Sequence, residues 1–162
     1  MEIELRPRTR ENVRIYFRAA QDAEIRHFLP QKAKSEEEAL ADFEKTLLPG
    51  ATSCGRSIYA DSLYIGDVWA YGIGAGDPDA MLSLCIFDKS FWGKGVGTQA
   101  LRLFMAGLRG AYDLKTLGAF TYSDNVGSQK VLLHNGFQRQ ETFTEDGRES
   151  AYFRIEFAEK DI

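Results

Sequence analysis

Cysteine, histidine and proline are scarce in this chain, at two, two and four among 162 residues. Cys54 and Cys85 stand at no metal-ligand spacing, so two reduced thiols are the plain reading. His27 has no partner at ligand spacing either, and His134 falls near a helix end, where a basic residue is favourable. No metal is expected. Long apolar runs are missing as well: nothing approaches the roughly 20 residues that span a bilayer. Met1-Glu2-Ile3-Glu4-Leu5 shows no signal-peptide pattern, so no membrane partner and a cytoplasmic location are expected. Positive charge is in deficit, with 20 Lys and Arg against 24 Asp and Glu, which argues against nucleic acid as the main partner. Repeats, linkers and low-complexity tracts are lacking too. What remains is an ordinary globular composition, read as one domain over residues 1–162.

Glycine, by contrast, is concentrated where chemistry can use it. The stretch Phe91-Trp92-Gly93-Lys94-Gly95-Val96-Gly97-Thr98 places three glycines in five residues. Before it, the apolar run Met81 to Phe87 reads as a buried strand. After it, Leu101, Phe104, Met105 and Leu108 recur at helical spacing. A helix start presents unpaired N–H groups and a partial positive charge, which together bind phosphate. Glycines let the backbone approach such a ligand closely. The spacing matches neither a P-loop nor G-x-G-x-x-G. Taken alone, the stretch reads equally as a tight strand-to-helix turn.

The remaining pattern is mixed. Ile3 to Leu5 alternate as a short strand, and Thr9 caps a helix with Val13, Tyr16, Phe17 and Ala20 on one stripe. A polar connection containing His27 and Pro30 follows. Ser35 and Glu38 form a capping box before a helix that buries Leu40, Phe43 and Leu47 and ends at Pro49-Gly50. Ser57 to Ala60 and Leu63 to Ile73 read as a hairpin turning at Asp61-Ser62. Parity places Asp67 with Leu63, Ile65, Trp69, Tyr71 and Ile73 on one inward face, unless a bulge at Gly66 changes the register. A carboxylate there is either a functional base or a structural acceptor. Thr116 to Tyr122 is a further strand, Asp124-Asn125 opens a helix ending at Asn135-Gly136, and a last hairpin turns at Asp146-Gly147.

Two of these segments together carry a family resemblance. Trp92-Gly93-Lys94-Gly95-Val96-Gly97 resembles the acetyl-CoA pyrophosphate loop of the GNAT superfamily of N-acetyltransferases. Asn125-Val126-Gly127-Ser128, followed by Val131-Leu132 and Asn135-Gly136-Phe137, resembles that superfamily's later helix and the strand after it. Within the superfamily the pattern is most similar to the ribosomal-protein N-terminal (alanine/serine) acetyltransferase branch, with its W-G-K-G loop and N-x-x-S helix. The resemblance implies a mixed α/β (α+β) fold in a single domain: a twisted sheet of about six or seven strands with about four helices. Its central parallel strands, here Met81 to Phe87 and Thr116 to Tyr122, splay apart to admit the cofactor.

The implied activity is acetyl transfer from acetyl-CoA, as cosubstrate, to a primary amine of a small molecule or a peptide N-terminus, by direct attack in a ternary complex. By the same resemblance the amides of Gly95, Val96, Gly97 and Thr98 hold the pyrophosphate, with Trp92, Gly93 and Lys94 in the loop. Backbone N–H groups around Cys85, Ile86 and Phe87 stabilise the oxyanion. Asn125 bonds the pantetheine or acetyl end, Ser128 either donates to the departing thiolate or is only a small, closely packing helix residue, and Lys130 completes the cofactor set. Two family positions differ. The helix tyrosine that often serves as acid is Leu132, and Leu82 or Ser83 stands near the usual glutamate. Asp67 is the candidate base, Asp88 the second choice, and catalysis through ordered water is equally compatible. A catalytically weak acyl-CoA-binding or sensing domain is the alternative. The acidic balance favours cationic acceptors, and an exposed edge of the last hairpin could pair with a second subunit as a homodimer.

Overall fold

The computed structural model describes residues 1–158, so the last four residues of the expected domain lie outside it. In chain order the elements are β1 (Ile3–Pro7), α1 (Arg10–Ala19), α2 (Ala23–Phe28), α3 (Glu36–Thr46), β2 (Cys54–Ala60), β3 (Leu63–Tyr71), β4 (Ala80–Ile86), α4 (Val96–Ala111), β5 (Thr116–Tyr122), α5 (Val126–His134), β6 (Gln138–Glu145) and β7 (Arg148–Glu156). The strands form one mixed sheet in the order β1-β2-β3-β4-β5-β7-β6.

Local chemistry explains most boundaries. Thr9 Oγ1 accepts from the Asn12 N–H at 3.1 Å and starts α1. Ser35 Oγ accepts from the Glu38 N–H at 3.1 Å and starts α3. The capping box is only half made, because the Glu38 carboxylate accepts from the Lys34 N–H instead of from Ser35. Two expectations need correction. The polar connection after α1 contains α2, capped by Asp22 Oδ2 on the Glu24 and Ile25 N–H groups. It is six residues long with one buried side chain, Ile25, and so leaves no periodic signal. Leu47 is 63% exposed, because it is the residue that ends α3 and lies past its buried face.

The main core lies between the sheet and α4, whose Ala100, Leu101, Phe104, Met105 and Leu108 pack with Ile58, Val68, Leu82, Leu117 and Phe153. Each large side chain buried there contributes about 1.5–3 kcal/mol. On the other face α1 sets Tyr16 edge-on against Trp69, with ring centroids 6.1 Å apart. A bulge separates the two faces within β3. Ile58 pairs with Gly66 and Tyr59 with Tyr64, so Ile65 is the extra residue. Ile65 therefore joins the α4 core while Asp67, of the same parity, faces α1. Gly66 permits this, since a Cβ there would lie 2.3 Å from the Cys85 carbonyl oxygen.

β4 and β5 run parallel but pair only at Ala80↔Leu117 and Met81↔Gly118. Asp79 closes the base: its Oδ2 accepts from the Lys115 and Thr116 N–H groups at 2.7 and 3.1 Å. Those bonds, Lys115's first, hold the Asp79 carboxyl below the usual carboxylate range. Beyond Met81 the strands part, which is the expected splay.

Candidate active-site cleft

The parting strands open a cleft of about 510 Å3. Its floor is the β4 edge from Leu82 to Ile86, which has no ladder partner on the β5 side. Backbone groups on such an edge can pair with an extended ligand much as a strand would.

The first wall is the loop ahead of α4. Gly95 is the N-cap of α4 at φ 77°, and no side chain caps that helix. Gly93 has φ 72°. Both lie in the left-handed region that favours glycine. Without a side-chain cap, the first-turn N–H groups and the positive end of the helix dipole are available to an anion. Gly93, Gly95, Val96, Gly97 and Thr98 all line the cleft. Trp92 anchors the loop, its indole N–H donating to the Ile86 carbonyl at 2.7 Å.

The opposite wall is α5, held close to α4 at Gly97, where a Cβ would lie 3.0 Å from Val131 Cγ2. Asn135 Nδ2 joins the two helices by donating to the Thr98 and Val131 carbonyls at 3.1 and 2.9 Å. Asn125 Oδ1 accepts from the Ser128 N–H at 3.2 Å and caps α5, leaving its amide NH2 to donate into the cleft. Ser128, Lys130 and His134 line this wall. His134, which the sequence offers only as a favourable helix-end residue, joins this lining one helical turn after Lys130, a spacing that is itself the signal. Among the described residues no Asp or Glu lines the cleft.

At the far end α2 roofs the opening with Ile25, Phe28 and Leu29. It is tied at both ends. Lys89 Nζ meets Asp22 and Glu24 at 2.9 and 3.0 Å. Arg148 donates to the His27 carbonyl at 2.6 Å and to Asp124 at 3.2 Å.

The structure gathers most of the expected residues here: Cys85, Ile86, Trp92, Gly93, Gly95, Val96, Gly97, Thr98, Asn125, Ser128 and Lys130. Three are not brought to it. Phe87 turns into an aromatic cluster, 6.2 Å from the Tyr16 ring and 5.0 Å from that of Tyr64. Lys94 holds its ammonium 6.0 Å from the Phe91 ring, outside the lining. Asp67 is 1% exposed, 3.1 Å from an Arg8 guanidinium nitrogen, and accepts from Tyr64 Oη at 2.6 Å. The bulge that turns it toward α1 takes it away from the cleft. Burial raises its carboxyl above the ordinary value while Arg8 pulls it down. Asp88 braces the loop, accepting from the Ser90 N–H and hydroxyl at 3.1 and 2.6 Å. Cys85 lines the cleft as a thiol, since burial pushes it up to about 11. Leu132, at the usual tyrosine position, is packed in the core.

Comparison with known proteins agrees with this geometry. Residues 2–138 match the family described as acetyltransferase (GNAT) domain. Among solved structures, spermidine N-acetyltransferase from Vibrio cholerae with CoA and spermine superposes with a TM-score of 0.83 at 15% identity, covering 95% of each chain. RimL, a ribosomal L7/L12 alpha-N-protein acetyltransferase in complex with coenzyme A, gives 0.78 at 20% identity, covering 95% of this chain and 93% of that one. Aminoglycoside acetyltransferase AAC(6')-Ib with coenzyme A gives 0.78 at 16% identity, covering 96% and 95%. No curated protein matches the sequence significantly. At such identities the structural likeness speaks for the fold.

Proposed function

The chain belongs to the GNAT acetyltransferase family, and on that footing we propose that its cleft joins acetyl-CoA and a primary amine for direct transfer. Acetyl-CoA is the cosubstrate of this N-acetyltransferase family. The observation that carries the assignment of parts is an uncapped helix start at one end of an unpaired strand edge. The pyrophosphate sits on the first-turn amides of α4, with Lys130 supplying positive charge and His134 a ring N–H donor from α5. Pantetheine runs along the free edge of β4, where the Asn125 amide donates to it. The thioester carbonyl lies at the Cys85–Ile86 backbone.

The amine nitrogen attacks the thioester carbon, the oxyanion collapses, and the carbon–sulfur bond breaks. Ser128 donates a hydrogen bond to the departing thiolate, which then takes a proton. With no carboxylate lining the cleft among the described residues, the ammonium proton leaves to water, and the rate follows the fraction of neutral amine. That favours α-amines, near 7.7–8.0, over lysine amines near 10.4. Small-molecule amines and peptide N-termini both remain in the acceptor class, as among the solved relatives.

The folded unit that carries the cleft runs past the end of the family match. The family match stops at residue 138, but β7 pairs with β5 from Thr116↔Glu156 to Tyr122↔Ser150 and places Phe153 in the core. The test is thiol release from acetyl-CoA in the presence of small amines and short peptides. Amine-dependent release supports the reading. Tight acetyl-CoA binding with no release for any amine would favour the sensing alternative.

A further inference from the structure

The face of the sheet that α1 covers over β3 lies open over β5, β7 and β6. Phe120 sits on a central strand of that open face and is 53% exposed. The register sets Phe120 opposite Tyr152, and Tyr152 opposite Glu141. The Phe120 ring centroid is 5.1 Å from that of Tyr152 and 5.6 Å from that of Phe143. Gly118 lets Tyr152 lie down across β5, since a Cβ there would meet Tyr152 Oη at 2.8 Å. Three rings therefore form a floor, and Phe120 carries it into the cleft.

Charge distinguishes this floor from a plain apolar patch. Arg148 and Arg154 share its face, but both are already engaged. Arg148 meets Asp124 at 3.2 Å and stacks on Tyr122 at 3.3 Å. Arg154 meets Asp77 at 2.8 Å and Glu156 at 3.2 Å. Glu141 has no basic partner among the described residues. Ring faces attract a cation, and an unpaired carboxylate beside them supplies the countercharge.

We infer that Phe120, Phe143, Tyr152 and Glu141 bind a second, distal ammonium of the acceptor, so that the enzyme selects di- and polyamines over monoamines. The inference rests on the acetyl-transfer reading above for what happens at the other end of the acceptor. An apolar acceptor would leave Glu141 unused, and a second copy of the chain would show itself as a concentration-dependent dimer.

The test is calorimetric titration of the protein with CoA bound, using hexamethylenediamine and, separately, hexylamine. The diamine binds about tenfold more tightly. Glu141→Gln and Phe143→Leu each reduce that preference to about twofold or less. Equal or tighter binding of hexylamine, or a preference unmoved by Glu141→Gln, overturns the inference. So does a concentration-dependent dimer that Phe143→Lys dissolves, which would assign the floor to a second copy. The titration needs no turnover, so failure of the acetyl-transfer reading shows separately, as absent thiol release. If CoA does not bind, the same two titrations into the free protein decide the floor.

Discussion

At the end proposed for the cofactor the cleft is walled by backbone: two glycines at positive φ, an uncapped helix start and a strand edge without a partner among the described residues. At the proposed acceptor end it is lined by side chains of α2 and β5, and Phe120 of β5 continues that lining onto Phe143 of β6 and Tyr152 of β7, residues far apart in the sequence. The first kind of site suits a diphosphate and an amide chain, which are the same for every acyl-CoA. The second kind can be rebuilt ring by ring for a different amine without disturbing the first. One fold can thus keep its cofactor while its acceptor changes.

The sharpest way to break this division is at the backbone end. Gly95→Glu forces φ 77° on a residue with a Cβ, at about 1–2 kcal/mol, and sets a carboxylate beside the pyrophosphate. Acetyl-CoA binding is lost while the far-ultraviolet spectrum stays native; retained affinity in a folded variant removes the loop as the phosphate site. Next in size is Asp67→Asn, which breaks a buried pair and lowers stability by about 3 kcal/mol in denaturant melts. Its acetyl-CoA affinity stays within about twofold, since Asp67 lies on the α1 side of the bulge. A variant of native stability with an altered pH–rate profile would instead return Asp67 to the chemistry.

Ser128→Ala comes third. Turnover falls about tenfold or more, with a smaller change in acetyl-CoA affinity, because the bond to sulfur strengthens only as thiolate develops. Equal loss in both would make Ser128 a binding contact. The smallest effect concerns the stitch at the base. The Asp79 carboxyl is held low in the folded state, so its contribution is present above the unfolded value and lost as pH falls through the folded one. Asp79→Asn lowers Tm by a few degrees at neutral pH, and the gap to the parent closes as pH drops below about 4. A gap that does not change with pH would mean that the Asp79 charge does not matter.

How far the sequence could be read follows the same division. Gly93 and Gly95 were legible because positive φ favours glycine there, Gly97 because the close approach of Val131 leaves little room for a Cβ, and Asn125 because helix starts select few residues. The β3 bulge was half legible: Gly66 marked it, but only the pairing shows Asp67 turned toward Arg8. α2 was invisible, since one buried residue in six makes no period. The acceptor floor was hidden for another reason. Phe120, Phe143, Tyr152 and Glu141 look like ordinary strand alternation until the register brings three strands together.

The measurement that tests the central claim most directly is calorimetric titration of the pure protein with acetyl-CoA and, separately, with ATP and NAD. Binding of acetyl-CoA alone, at one per chain, is the predicted result. No acetyl-CoA binding, or equal binding of ATP, would reduce the glycine loop to a turn and contradict every cofactor contact assigned to the cleft.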